Sequence, residues 1–251
     1  MLYLVGTGLA EGDISQRALE VCKRSKLFVE HHTSFISKEY LSWIESLAGK
    51  QAIALERSDL EEKARKLVEQ ASNEDVALLC GGDPLVATTH KILFIEAKRL
   101  GVAVGILHSS SVLSAAIGES GLDFYRFGQI CTIPTWSEHY KPVSFYETIS
   151  RNRKSKLHSL VLFDFSSSSG NSMPLSQAIN VLEEAEKHYK EGIATQDTKI
   201  IILHNLSQKG ERKVYCTINE AKSLQLGSGR TSMVIPTELS DIESEIIKSI
   251  Y

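Results

Sequence analysis

From Leu2 to Leu107, short apolar runs alternate with helical patterns. That alternation restricts the fold more than any other feature of the 251-residue chain. The runs cover residues 2–5, 26–30, 52–55, 76–79 and 102–107. Helices are predicted between them: up to Arg24 with Asp13 or Ser15 as cap, over 38–47, from Asp59 onward, and over 91–99. Leu60, Ala64, Leu67 and Ala71 recur at helical spacing after Asp59, and Glu61 and Glu62 load the first turn. Strands separated by helices of this length pair in parallel, in a sheet covered on both faces.

The second half continues the α/β character. Small polar residues, His108-Ser109-Ser110-Ser111, suit a crossover between domains, so lobes are expected at 1–108 and 109–251. Further strands are predicted at 128–133, 159–165, 199–203, 213–217 and 232–235. Helices are predicted at 112–117, 144–152, 174–189, 219–226 and 240–250, with Pro174 in a first helical turn and Asp241, Glu243 and Glu245 suiting the last helix's dipole. Residues 166–171 form a serine-rich surface loop. No repeat is visible. The expected architecture is two α/β lobes with a cleft between them, a preferred place for ligands.

The stretch least explained by folding is Gly81-Gly82-Asp83-Pro84-Leu85-Val86-Ala87-Thr88-Thr89-His90. A strand that ends in glycines leaves backbone N–H groups free to meet a ligand. In open α/β sheets ligands bind just beyond the strand ends. Asp83 has two readings here: acceptor for a cofactor amine or ribose, or cap of the following helix. Either way it is expected to be partly buried and, when ionised, an acceptor only.

Several other chemistries are excluded by spacing. Gly6-Thr7-Gly8-Leu9 is half of a dinucleotide fingerprint, but Gly12 comes one place late and only Glu30 stands on the second strand, so a nicotinamide cofactor is rejected. Gly227-Ser228-Gly229-Arg230 lacks the lysine and spacer of a phosphate loop, and Gly118-Glu119-Ser120-Gly121 has the wrong spacing for a nucleophile elbow. The eight histidines show no ligand spacing, and no metal site is expected. Cys22, Cys80, Cys131 and Cys216 form no C-x-x-C pair and read as small buried thiols of a reducing compartment. Net charge −3 argues against a nucleic-acid partner. No apolar run nears the ~18–20 residues of a membrane helix, and Met1 to Val5 reads as a strand rather than a signal peptide, so a cytoplasmic protein is expected. Arg151, Arg153, Lys154 and Lys156 cluster after a helix, either as cations at its C-terminus or as a docking patch for an acidic partner.

The run from Gly82 to His90 resembles the signature of the diphthine synthases, S-adenosylmethionine-dependent methyltransferases of the tetrapyrrole methylase superfamily. The resemblance extends over most of the chain: Gly6 to Leu9, Asp13-Ile14-Ser15, Glu30 with Thr33-Ser34, His108 to Val112, Gly121-Leu122, Tyr125, Phe127-Gly128, Pro142, Ser144 to Glu147, Asn152, Leu157 to Leu160, Asp197-Thr198 and Pro236. It implies a tetrapyrrole-methylase-like fold with S-adenosylmethionine bound between two lobes and S-adenosylhomocysteine as product. By matched position it implies cofactor contacts at Leu9, Asp83, Val86, Ser111, Val112, Phe163, Leu206 and Thr231. Phe163 stands where the family often has leucine, Thr231 where histidine is usual, and His32 where tyrosine is usual.

The implied reaction is methylation of the modified histidine of translation elongation factor 2, aminocarboxypropyl-histidine, to diphthine in diphthamide biosynthesis. The resemblance also implies a homodimer with elongation factor 2 as protein substrate. It names no catalytic residue. The compact, insertion-free chain suits an archaeal-type member. The competing readings are a superfamily enzyme acting on a tetrapyrrole or ribosomal RNA, and a non-catalytic cofactor-binding regulator.

Overall fold

The five apolar runs of the first half become the five strands of one sheet, in the order β3-β2-β4-β1-β5. The computed structural model describes residues 1–32, 36–166 and 171–251. Thr33, Ser34 and residues 167–170 of the serine-rich loop lie outside the described residues. The chain divides into two compact units, Met1–Val112 and Leu113–Ser166 with Asn171–Tyr251.

In the first unit the order is β1 (Leu2–Gly6), α1 (Gln16–Arg24), β2 (Lys26–Glu30), α2 (Lys38–Ala48), β3 (Ile53–Leu55), α3 (Arg57–Glu61), α4 (Ala64–Asn73), β4 (Val76–Cys80), α5 (Lys91–Leu100) and β5 (Val104–Leu107). Every pairing in this sheet is parallel, with Leu4 beside Leu78 and Gly6 beside Cys80. Side chains alternate across a strand, so each buried strand feeds two cores. Val5, Leu27, Val29, Ala77 and Leu79 pack with Ala18, Val21, Tyr40 and Ile44 of α1 and α2. Leu2, Leu4, Phe28, Val76 and Leu78 pack with Ala64, Leu67, Val68, Leu93 and Ala97 of α4 and α5. The sheet is thus covered on both faces, as the alternation predicts.

This arrangement fixes where a ligand can bind. β1 and its neighbour β4 send their outgoing helices, α1 and α5, to opposite faces. Such a reversal opens a crevice beyond the C-terminal ends of the two strands. Those ends carry Gly6-Thr7-Gly8 and Gly81-Gly82-Asp83.

Local departures have visible causes. The helix expected from Asp59 is two helices, and Asp59 is not its cap. Its carboxylate accepts from the Glu56 N–H at 3.0 Å inside a capping box at the start of α3. The break between α3 and α4 keeps Leu60, Ala64 and Leu67 in one core. Ser15, not Asp13, caps α1, its hydroxyl accepting from the Ala18 N–H.

The second unit comprises α6 (Val112–Glu119), a 3-10 turn at Phe124–Arg126, β6 (Cys131–Ile133), α7 (Ser144–Lys154), β7 (Ser159–Phe163), β8 (Phe165–Ser166), β9 (Asn171–Ser172), α8 (Leu175–Tyr189), β10 (Lys199–His204), β11 (Arg212–Thr217), α9 (Ile218–Ala221), β12 (Thr231–Ile235) and α10 (Asp241–Ile250). Its sheet runs β11-β10-β12-β7-β6 and is mixed: only β6 and β7 pair in parallel. A short link between β10 and β11 permits only a hairpin. Pro174 precedes α8 as its N-cap, with ψ 142° outside the helical range, rather than lying in the first turn. The strand expected from Gly128 begins at Cys131, because the Gly128 N–H donates to the His158 carbonyl at 2.9 Å beside the Asn152 side chain.

Candidate functional site at the glycine corner

The turns after β1 and β4 meet backbone to backbone. The Gly8 N–H donates to the Gly82 carbonyl at 3.1 Å, and the Gly82 N–H returns to the Gly8 carbonyl at 2.9 Å. Both residues have positive φ, +80° and +68°, a conformation that favours glycine. A Cβ on Gly8 would lie 2.1 Å from the Asp13 Cβ, whereas one on Gly82 would meet only the Ser110 carbonyl, at 3.8 Å. Gly82 is buried, yet its backbone has room beside it for a further atom.

Asp13, a cap candidate by spacing, instead serves this corner. Its Oδ2 accepts from the N–H groups of Leu9 at 2.9 Å and Ala10 at 3.1 Å, and from the Ser110 hydroxyl at 2.6 Å. The Ser109 hydroxyl donates to the Asp13 carbonyl at 3.0 Å. One carboxylate thus ties the turn after β1 to the segment after β5. Ser109 and Ser110 stand as side chains of this corner.

Asp83 sits on the other side of β1. Its Oδ1 accepts from the Leu85 N–H at 3.0 Å, forming an Asx turn. Its Oδ2 lies 2.7 Å from Nδ1 of His108 and 3.4 Å from the Ser109 nitrogen. The carboxylate is one-tenth exposed and the imidazole two-thirds. The helix-cap reading of Asp83 fails, because α5 starts at Lys91 and Asp83 turns back on its own loop.

Of the eight residues matched by resemblance, five belong to this unit. Leu9 follows β1, Asp83 and Val86 follow β4, and Ser111 and Val112 follow β5. The Val86 N–H donates to the Asp83 carbonyl at 3.2 Å, which folds Val86 back beside the carboxylate. Ser111 is buried and Leu9, Val86 and Val112 are half-buried.

The other three lie at one end of the three central strands of the second sheet. Phe163 ends β7, Thr231 starts β12 and Leu206 follows β10. β7 runs antiparallel to β12 with Leu162 beside Ser232, which sets Phe163 next to Thr231. The Thr231 hydroxyl lies 2.8 Å from Nδ1 of His204 across the β10–β12 pair, a histidine that burial holds below its ordinary pKa.

Beneath the corner of the first unit lies a buried polar seam that spacing did not reveal. Glu30, Cys80 and His90 are almost wholly buried, with donor atoms within 4.8 Å of one another. His90 donates through Nδ1 to the Pro84 carbonyl at 2.8 Å, which turns Nε2 toward Glu30 Oε1 at 3.6 Å. His32 lies 3.2 Å from the other Glu30 oxygen. Burial pushes the Cys80 thiol well above its ordinary range, aided by the charges of Glu30 and Asp83. Thr7 donates to the Cys80 carbonyl at 3.2 Å, and Tyr40 donates to the Thr7 carbonyl at 2.6 Å. These contacts hold the ends of β1, β2 and β4 in fixed relation. The seam fixes Pro84 and hence the loop that presents Asp83.

A parallel sheet with a glycine corner and an acid at its switch point has the arrangement at which open α/β sheets take small ligands. The family model of the tetrapyrrole (corrin/porphyrin) methylases matches residues 1–222. A diphthine synthase of Methanothermobacter thermautotrophicus is 36% identical over 257 residues, covering 100% of this chain and 95% of its own. A diphthine methyl ester synthase of Saccharomyces cerevisiae is 33% identical, covering 94% and 84%. A crystal structure of a diphthine synthase superposes with TM-score 0.88 at 30% identity, covering 99% and 95%. The chain belongs to the diphthine synthase family of tetrapyrrole methylases, and it is a methyltransferase.

Proposed function

We infer that the acceptor is the aminocarboxypropyl-histidine of translation elongation factor 2 and that the product is diphthine. The protein catalyses S-adenosylmethionine-dependent methylation in diphthamide biosynthesis. The observation that carries the reading is the likeness to diphthine synthases along the whole chain, with the glycine corner intact.

The corner fits the cofactor chemically. Asp83 supplies an acceptor for ammonium or ribose hydroxyl groups, and bare Gly82 lets a flat nucleoside approach the backbone. Leu9, Val86, Ser111 and Val112 surround it in this reading. When bound, the sulfonium supplies an activated methyl group. The protein's share is to bind, align the acceptor lone pair with the methyl carbon, and exclude water, an effect worth roughly 7–11 kcal/mol in favourable cases.

The remaining parts of the reading concern assembly and place. Ile242, Ile246 and Ile250 form an exposed apolar stripe along α10, and Phe124 and Tyr125 are exposed on the 3-10 turn of the same unit. Such a stripe supports a homodimer contact. Among the described residues no helix is long and apolar enough to cross a membrane, and the four cysteines are free. The free thiols support action in a reducing compartment such as the cytoplasm.

Mass spectrometry tests the acceptor. Elongation factor 2 carrying aminocarboxypropyl-histidine should gain methyl masses on that residue after incubation with the protein and S-adenosylmethionine; an unchanged mass would sink the reading. Asp83→Ala should weaken cofactor affinity by calorimetry without lowering thermal stability appreciably. Unchanged affinity would remove Asp83 from the site.

A further inference from the structure

The Asp83–His108 contact has the form of a catalytic dyad. A carboxylate that is nearly buried and anchored by two backbone N–H groups accepts, in the same oxygen's reach, from Nδ1 of an exposed imidazole. An ionised carboxylate can only accept, so Nδ1 carries a proton. The neutral ring therefore has its lone pair on Nε2, on a side chain two-thirds exposed. This is the tautomer a general base needs.

Two further observations single the pair out. Asp83 and His108 follow β4 and β5, strands that are not neighbours but flank β1. They meet over the glycine turn, where a Cβ on Gly6 would lie 2.7 Å from the Gly82 carbonyl and 3.1 Å from the Ser109 Cβ. The ring is also held at its root, because Ser109 and Ser110 are tied to Asp13. Asp83 is the carboxylate facing the ring, with Asp13 behind the two serines.

We propose that His108, oriented by Asp83, is the general base that deprotonates the acceptor amine before each methyl transfer. The inference rests on the methyltransferase reading given above. An ammonium has no lone pair and cannot attack. His108 Nε2 takes one N–H proton from it, and the Asp83 carboxylate stabilises the resulting imidazolium. The freed nitrogen lone pair forms the new N–C bond with the methyl carbon, and the C–S bond breaks with its electron pair left on sulfur as a thioether. The imidazolium then releases its proton to water, which its exposure permits. One proton leaves per methyl gained, so the same base serves each successive transfer until no N–H remains.

The test uses the chain with S-adenosylmethionine and elongation factor 2 carrying the modified histidine. His108→Ala should lower the rate of N-methylation about 10²-fold or more near neutral pH, within the range general bases contribute. Added imidazole should restore part of that rate, since an exposed ring leaves an accessible gap. The rate of His108→Gln should follow the free-amine fraction and approach the wild-type rate as pH is raised, while calorimetric cofactor affinity of both variants stays within about threefold of wild type. Nitrogen-15 spectra of histidine-labelled protein supply a readout independent of turnover. The His108 signal, assigned by its loss in His108→Gln, should show the Nδ1–H tautomer and should lose that preference in Asp83→Ala. Wild-type rate and pH profile in His108→Ala, or a predominant Nε2–H tautomer, would overturn the dyad. A wild-type protein that fails to bind the cofactor would instead overturn the reading beneath it.

Discussion

Glu243→Gln is expected to destabilise the second unit by about 3 kcal/mol near neutral pH and by much less in acid. Glu243 lies in the first turn of α10 and is almost fully buried. Burial by itself would raise its pKa. That effect is outweighed by the N–H groups of Ser240 at 2.8 Å and Asp123 at 3.0 Å, by Nε2 of His158 at 2.9 Å, and by the Ser240 hydroxyl. Arg126 pairs with the same carboxylate.

The result is a carboxyl held down at about 2 instead of 4.5. A difference of about 2.5 units, at about 1.36 kcal/mol each, gives about 3 kcal/mol. Because the folded pKa is depressed, this stability is complete above the ordinary value and drains away as pH falls toward the folded one. Linkage gives a loss of about 0.8 kcal/mol by pH 4 and about 2 kcal/mol by pH 3.

The assay is urea unfolding of wild type and Glu243→Gln at about pH 7, 5, 4 and 3. Trp136 packs against the core of the second unit, so a Trp43→Phe background isolates its fluorescence. The two proteins should differ most at pH 7 and converge as pH falls. A difference constant across the range would refute the account, since an uncharged glutamine cannot follow the titration of the group it replaces.

The remaining predictions concern the corner and the thiols. Gly82→Ala, with room for its methyl but φ +68°, should cost only the left-handed strain of about 1–2 kcal/mol, read as a modest fall in melting temperature. Gly6→Ala should cost more, because its Cβ would stand 2.7 Å from a backbone oxygen, and it should displace the His108 signal in nitrogen-15 spectra. Burial raises the thiols of Cys22 and Cys131 to about 12. With the Cys80 thiol also raised well above its ordinary range, all three should resist a disulfide reagent at about pH 8 until urea is added. Fast reaction of buried Cys22 or Cys80, or of half-buried Cys131, in the native protein would contradict the raised thiols.

The parallel half of the fold was legible because periodicity reports burial directly. Five apolar runs, each separated by an amphipathic helix, admit few arrangements other than a covered parallel sheet, and residues 26–30 form β2 as expected. The second sheet was not legible in its pairing. An apolar run such as 199–203 reads the same whether its neighbours lie parallel or antiparallel, and direction is decided by short links outside the strands. The same limit explains the helices. Pattern alone cannot separate α3 from α4, because Leu60, Ala64 and Leu67 keep helical spacing across the break.

The site divides in the same way. Asp83 could be singled out because glycine and proline flank it and no core position explains an acid there. Its partner could not, because His108 lies 25 residues on, at the end of a non-neighbouring strand. What joins them is an omission: Gly6 has no side chain, and the space a Cβ would take is filled by Gly82, Pro84 and Ser109. A sequence displays the glycine but not what closes over it. Spacing leaves Asp13 and Ser15 as equal cap candidates for a related reason, since a carboxylate three residues before α1 looks like a cap until the fold brings Ser109 and Ser110 to it. The residues that shape the corner are thus set by contacts across three strand ends. Gly6→Ala, which changes no charged or catalytic group, is expected to part Asp83 from His108 for that reason alone.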